Sequence, residues 1–156
     1  MATRSQAQLT LAGARIALAA AEAHARNMGL GMNIAVVDAS THLLAFGRME
    51  GAKITSLGIA MDKAFTAAGH KVGTHNYKEA VWPGGAAYGI NHSNGGRFMT
   101  VGGGLPIKDA ARNVVGGIGA STGTPTQDQE VVQAGVDALE KVLREEAKGT
   151  GPKAKL

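Results

Sequence analysis

Residues 114–121 read Val-Val-Gly-Gly-Ile-Gly-Ala-Ser, a strand-like run in which three of eight positions carry no side chain. Glycine inside a strand marks a bulge or a place where a second backbone comes close. Composition extends the argument to the whole chain: glycine accounts for 23 of 156 residues and aromatics for only 4%. The core must therefore be built from Ala, Val, Ile, Leu and Met. Small side chains let backbones approach, which suits a compact α/β layer more than a wide apolar cavity. A chain of 156 residues is one ordinary domain, long enough to remove roughly two thirds of its unfolded surface from water.

Periodicity and punctuation give the order of elements. A helix is expected over 5–28, with Ser5 and Gln8 as a capping box and a stripe of Leu9, Ala12, Ile16, Ala19 and Ala23, ended by Gly29 and Gly31. Asn33–Asp38 is a β-branched strand, and after the turn residues Asp38–Thr41 the run 42–49 forms its hairpin partner. A second helix is expected over about 55–72, with Leu57, Met61, Phe65, Ala68 and Val72 facing inward. Residues 73–96 show no clean period, being broken at Trp82-Pro83-Gly84-Gly85 and Asn94-Gly95-Gly96. Arg97–Val101 is expected as a short strand, Gly104–Ile107 as extended chain, Lys108–Asn113 as a turn and 114–121 as a strand. The last helix has the clearest start: Thr124 as N-cap, Pro125 at the first helical position and Gln127 completing a capping box. Its inward face is Val132, Val136, Leu139 and Leu143. Hairpin-like turns are too short for parallel crossovers, so the fold class is α+β, an antiparallel sheet with helices packed on it. One domain spans residues 1–148, and the basic tail 149–156 is expected to be disordered.

Several function classes fall away. There are no cysteines, so disulfides, thiolate metal sites and a cysteine nucleophile are excluded. The five histidines include only one close pair, His70 and His75, whose spacing does not share a helix face; no metal site is expected. Lys and Arg number 16 against 12 Asp and Glu, but Lys148, Lys153 and Lys155 stand after or at the end of the last helix, and no basic stripe with interleaved aromatics exists. A nucleic-acid partner is therefore not expected. No apolar run reaches the roughly 18 residues of a membrane span. Arg15, Glu22 and His24 interrupt the N-terminal Ala-rich run where a secretion signal needs its apolar stretch, so the expected compartment is the cytoplasm. Ala154-Lys155-Leu156 approximates a peroxisomal Ser-Lys-Leu ending, a weaker alternative.

The segment Tyr88-Gly-Ile-Asn-His-Ser-Asn-Gly-Gly-Arg-Phe-Met-Thr-Val-Gly-Gly-Gly-Leu-Pro-Ile107 carries the candidate chemistry. It lacks the Lys-Ser/Thr ending of a phosphate-binding loop and does not open a helix after a strand, so it is no nucleotide fingerprint. Gly102, Gly103 and Gly104 precede Leu105-Pro106, and backbone N–H groups near such a bend form a nest for anionic oxygens. Arg97 can bind a carboxylate bidentately. Tyr88, His92, Ser93 and Asn94 add hydrogen-bonding groups beside it.

Four segments in this order, 33–52 (NIAVVDASTHLLAFGRMEGA), 61–68 (MDKAFTAA), 88–107 and 114–139 (VVGGIGASTGTPTQDQEVVQAGVDAL), resemble the GlcG/HbpS family, to which haem-binding proteins and a domain attached to corrinoid adenosyltransferases are related. The resemblance covers about residues 5–145. It implies a profilin-like α/β/α sandwich, a homo-oligomer and haem as cofactor. Three functions stay open. In a haem binder, His92 is the first candidate for axial ligand and His75 the second, with Arg97 or Lys63 pairing a propionate; the family pattern also carries a lysine at the Lys63 position. In an enzyme acting on a small oxo or hydroxy acid, Arg97 and the glycine nest hold the carboxylate and His92 is the general acid/base. Tyr88, Ser93 or Lys63 assist there, with Asp38 and Glu50 as alternatives. In a ligand-free oligomeric module, the Ala- and Gly-rich surfaces serve packing alone.

Overall fold

The computed structural model describes residues 1–149. Apart from Gly149, the tail expected to be disordered lies outside the described residues. Three helices, α1 (Leu11–Asn27), α2 (Ser56–His70) and α3 (Pro125–Ala147), combine with four strands, β1 (Asn33–Asp38), β2 (Leu43–Arg48), β3 (Gly104–Lys108) and β4 (Val114–Ser121). Short 3-10 turns occupy much of 74–96. The sheet order is β2-β1-β4-β3 with every neighbouring pair antiparallel, so the expected α+β architecture holds. Helices α1 and α3 pack together on one face and α2 covers the other, an α/β/α sandwich.

Alternation along the strands sorts the two faces. Ile34 and Val36 of β1 point with Ile118 and Ala120 of β4 into the larger core under α1 and α3, while Ala35 and Val37 meet Ala64 and Ala68 of α2. On that second face β4 presents Gly117 and Gly119. A Cβ on Gly119 would stand 2.2 Å from the Ala60 carbonyl oxygen, and one on Gly117 would stand 2.7 Å from that of Ala64. Gly117 and Gly119 thus let α2 lie directly on the β4 backbone. Gly135 does the same between α3 and α1, where a Cβ would lie 2.8 Å from the Ala17 carbonyl oxygen.

Close approach also decides which helix faces are inside, and of the expected stripes only Leu9 and Ala68 are fully buried. In α1 the buried residues are Ala14, Ala17, Ala21 and Ala25, whereas Ala12, Ile16, Ala19 and Ala23 are exposed. In α2 they are Ser56, Ala60, Lys63, Ala64 and Thr66–Ala68, with Met61 and Phe65 at the flanks and Val72 outside the helix. Bulk suggested one face; the facing glycines accept only the alanine face. Helix α1 also starts later than expected. Leu9 N–H donates to the Val115 carbonyl of β4 at 2.9 Å, holding residue 9 out of the helix. Thr10 is the cap, its hydroxyl accepting from Gly13 N–H, and Gln8 donates instead to Ser40 Oγ at 2.8 Å. The expected strand 97–101 is absent. Met99 N–H donates to Thr66 Oγ1 at 2.8 Å and Phe98 packs edge-on to His70 and Tyr77, so α2 rather than the sheet satisfies this segment. The start of α3 agrees with expectation: Thr124 and Gln127 form both bonds of the capping box.

Candidate functional site

The glycine bend that precedes β3 is buried, and the N–H groups of Gly103 and Gly104 are engaged with protein. Gly103 N–H donates to Gln129 Oε1 at 3.1 Å, Gly104 N–H to Thr74 Oγ1 at 2.9 Å, and Gly103 accepts from Ala120 N–H at 2.8 Å. Gly103 has φ +111°, and a Cβ there would stand 2.5 Å from Asp128 Cβ and 2.9 Å from Lys63 Nζ. Beneath it lies a buried ion pair. Lys63, only 1% exposed, donates to Asp128 Oδ2 at 2.7 Å and to the Ala120 carbonyl at 2.9 Å, while Asp128 Oδ1 accepts from Gly123 N–H. Burial holds the Lys63 ammonium below its ordinary value of 10.5, against the hydrogen bond and charge of Asp128, which raise it. The lysine is thus no surface residue; it ties α2 to the first turn of α3 beneath the bend.

Arg97 turns toward α2. Its Nε donates to Asp62 Oδ1 at 2.9 Å and its guanidinium stacks 4.0 Å from the centroid of Phe65. Tyr88, His92, Ser93 and Asn94 stand exposed along the 88–96 turns, held by local bonds such as Ser93 Oγ to the Ile90 carbonyl at 2.7 Å. Asp38 uses its carboxylate to accept from the Ser40 and His42 N–H groups of the β1–β2 turn. Glu50 lies with Arg26 and Arg48 around a separate charged cavity. Near the other end of the 74–96 region, His70 Nδ1 and the Tyr77 hydroxyl meet at 2.6 Å in a stacked pair, and burial pushes the Tyr77 phenol upward.

Of the residues singled out in the sequence, His75 and Gly102 come together. They line a groove of about 340 Å³ between the 74–82 turns and the start of α3. Val81, Trp82 and Pro125 give it an apolar wall, and Lys78 stands among its lining residues. His75 also borders a second cavity of about 490 Å³ beside Leu105 and Pro106. A Cβ on Gly102 would lie 3.3 Å from the Pro125 carbonyl oxygen and 3.4 Å from His75 Cβ, so glycine keeps this part of the wall open. None of Tyr88, His92, Ser93, Asn94 and Arg97 lines the groove. Sequence reasoning missed Lys78, Trp82 and Pro125 as site residues. The available signal was the single tryptophan, set beside a Pro-Gly-Gly breaker and 56% exposed. Among the described residues, no group of three or more His, Asp or Glu side chains could hold a metal ion, and no helix is long and apolar enough to cross a membrane.

The family model described as haem degrading protein HbpS-like matches residues 9–137. The chain belongs to the HbpS-like family. Within reach of this HbpS-like chain is an uncharacterized 15.0 kDa Citrobacter freundii protein from the dhaT–dhaS intergenic region, 36% identical over 133 residues, which span 85% of this chain and 93% of that protein. The crystal structure of the Klebsiella pneumoniae protein ORFY is similar, with a TM-score of 0.85 at 36% identity over 89% of this chain and 96% of that one. So is the PduOC–haem complex, with a TM-score of 0.79 at 30% identity over 84% and 94% of the two chains. The HbpS-like assignment agrees with the four sequence segments and the sandwich described above.

Proposed function

We propose that this HbpS-like chain binds haem in the groove walled by Trp82 and Pro125, with His75 as the iron ligand. The observation that carries the reading is the exposed His75 imidazole on the wall of an otherwise largely apolar groove. Its volume, about 340 Å³, lies at the small end for a ligand site, so the macrocycle rests against the groove rather than inside it. Trp82 offers a planar apolar surface, Gly102 leaves room for close approach, and Lys78 supplies a cation for a propionate. When bound, haem supplies an iron centre whose reactivity its axial ligand and surroundings tune; the residues of this chain bind it, orient it and exclude water from one side. The similarity to a chain crystallised with haem supports the reading.

Titrating the protein with haemin tests it. A Soret band that saturates at a fixed stoichiometry is expected. His75→Ala should weaken binding by at least the roughly 10–100-fold that follows loss of a supporting contact at a metal site, with a shifted Soret position. His92→Ala, read in parallel, should bind as the parent does. An unsaturable parent titration overturns haem binding. Loss in His92→Ala with none in His75→Ala moves the iron to the glycine-rich turn.

We also propose that the chain assembles with copies of itself. Leu11 and Ile16 of α1 and Leu43 of β2 are 43%, 38% and 51% exposed, and the buried alanine face leaves the bulkier α1 face outward. Light scattering at micromolar concentration should give a multiple of the 15.9 kDa chain mass; a mass near one chain refutes assembly.

A further inference from the structure

A cavity of about 470 Å³ opens between the N-terminal segment 4–7, the C-terminal end of α2 and the turn joining β3 to β4. Four cations line it, Arg4, Lys71, Lys108 and Arg112, and no carboxylate does. They come from three separate parts of the fold, so no single element's surface pattern explains the cluster. Another charged cavity of similar size, about 420 Å³, shows the ordinary arrangement: there Arg26 and Arg48 are matched by Glu22 and Glu50.

The acidic groups nearest in the chain are occupied elsewhere. Asp109 turns both oxygens on Asn113, one accepting from its N–H at 2.8 Å and the other from its side-chain amide at 3.1 Å, and these bonds hold its carboxyl below the ordinary value. Glu140 borders the adjoining cavity, accepts from Lys108 N–H at 3.1 Å and is shared between Arg144 at 3.5 Å and Arg112 at 3.7 Å. It offsets part of the Arg112 charge and leaves Arg4, Lys71 and Lys108 without a carboxylate on the cavity wall. Two of the four cations also sit on left-handed backbone, Lys71 at φ 63° and Arg112 at φ 68°, where glycine or asparagine is the cheaper residue.

We propose that this cavity binds a phosphate-bearing small molecule. Cations arriving from several directions suit a tetrahedral group carrying two or more charges, whereas a single planar carboxylate is satisfied by one bidentate arginine. The hydroxyl of Ser5, also in the lining, adds a neutral donor. The site is separate from the groove at Trp82, with which it shares no lining residue.

Inorganic pyrophosphate is the probe, titrated calorimetrically at low salt into the whole chain. One saturable site per chain is expected, weakening as salt is added. Lys71→Gln combined with Arg112→Gln should weaken it about ten- to a hundredfold, the loss of charge-assisted contacts. Arg4→Gln, in a segment outside the core, should weaken it in the same direction without disturbing the fold. Arg26→Gln combined with Arg48→Gln, at the balanced cavity, should change nothing. Absence of saturable binding, equal weakening by both double variants, or tighter binding of citrate than of pyrophosphate overturns the proposal.

Discussion

Gly119→Ala is expected to lower stability by at least about 3 kcal/mol, the upper end of what overpacking a core costs. For a chain of this size that corresponds to a melting temperature roughly 6–12 °C lower. The added methyl would stand 2.2 Å from the Ala60 carbonyl oxygen and 2.5 Å from the Ala64 nitrogen. Both are backbone atoms of α2, so no side-chain rotation relieves the clash. Relief requires the whole helix to lift from β4, which would loosen the Ala35, Val37, Ala64 and Ala68 contacts. Gly58→Ala is the matched control. It lies inside α2 with nothing within 4 Å of the new methyl and should gain about 0.4–1 kcal/mol from helix propensity and reduced unfolded-state freedom. Denaturant midpoints measure both; an unchanged midpoint for Gly119→Ala would show that α2 does not rest on the β4 backbone.

Asp128→Ala is expected to cost about 3–5 kcal/mol, the usual loss when one partner of a buried ion pair is removed. The Lys63 ammonium would then keep only the Ala120 carbonyl, and Gly123 N–H would lose its acceptor. The pH dependence has a defined sign. Burial already holds Lys63 below 10.5, and Asp128 opposes that shift, so the variant's lysine must fall further. The unfolded chain then binds more protons than the folded one between the lowered value and 10.5, and stability rises with pH across that interval. Because the parent's lysine is itself lowered, the deficit relative to the parent should shrink as pH rises from the variant's value to the parent's and hold steady from there to 10.5. The upward-shifted Tyr77 phenol is common to both proteins and cancels in the comparison. Replacing the pair together, Lys63→Met with Asp128→Leu, should recover most of the loss, because an apolar pair of similar volume is often neutral or stabilising. A deficit below about 1 kcal/mol, or one that grows with pH, would show that the pair is not the buried link between α2 and α3.

Elements governed by local chemistry were legible in the sequence. The start of α3 needs only Thr124, Pro125 and Gln127, all within one helical turn. The β1–β2 hairpin needs only Asp38, whose carboxylate caps the N–H groups of residues 40 and 42. The antiparallel sheet and the glycine-bearing β4 followed from turn lengths and strand composition, and four ordered segments were enough to point to the family. The candidate site was legible only in part: Gly102 and His75 were read as site residues, whereas Trp82 was read only as part of a chain break and Pro125 only as a helix start.

Tertiary structure decided whatever depends on which backbone meets which. Most of the inward faces of α1 and α2 were misjudged because bulk marks an isolated helix face, whereas Gly117 and Gly119 bring the α2 backbone at Ala60 and Ala64 to contact distance and Gly135 does the same for the α1 backbone at Ala17. Arg97–Val101 has strand-forming residues, yet Thr66 on α2 takes the bond a neighbouring strand would have taken. Lys63 gives no sign of burial in its own heptad, since its partner Asp128 lies 65 residues away. Length, turn chemistry and strand composition by themselves determined an antiparallel α+β domain, and the resemblance of four segments to the family added the sandwich. Glycine, having no side chain, leaves open in the sequence which neighbour it admits, and only the folded chain, with α2 seated on β4 and Gly103 closed over Lys63 and Asp128, settles it.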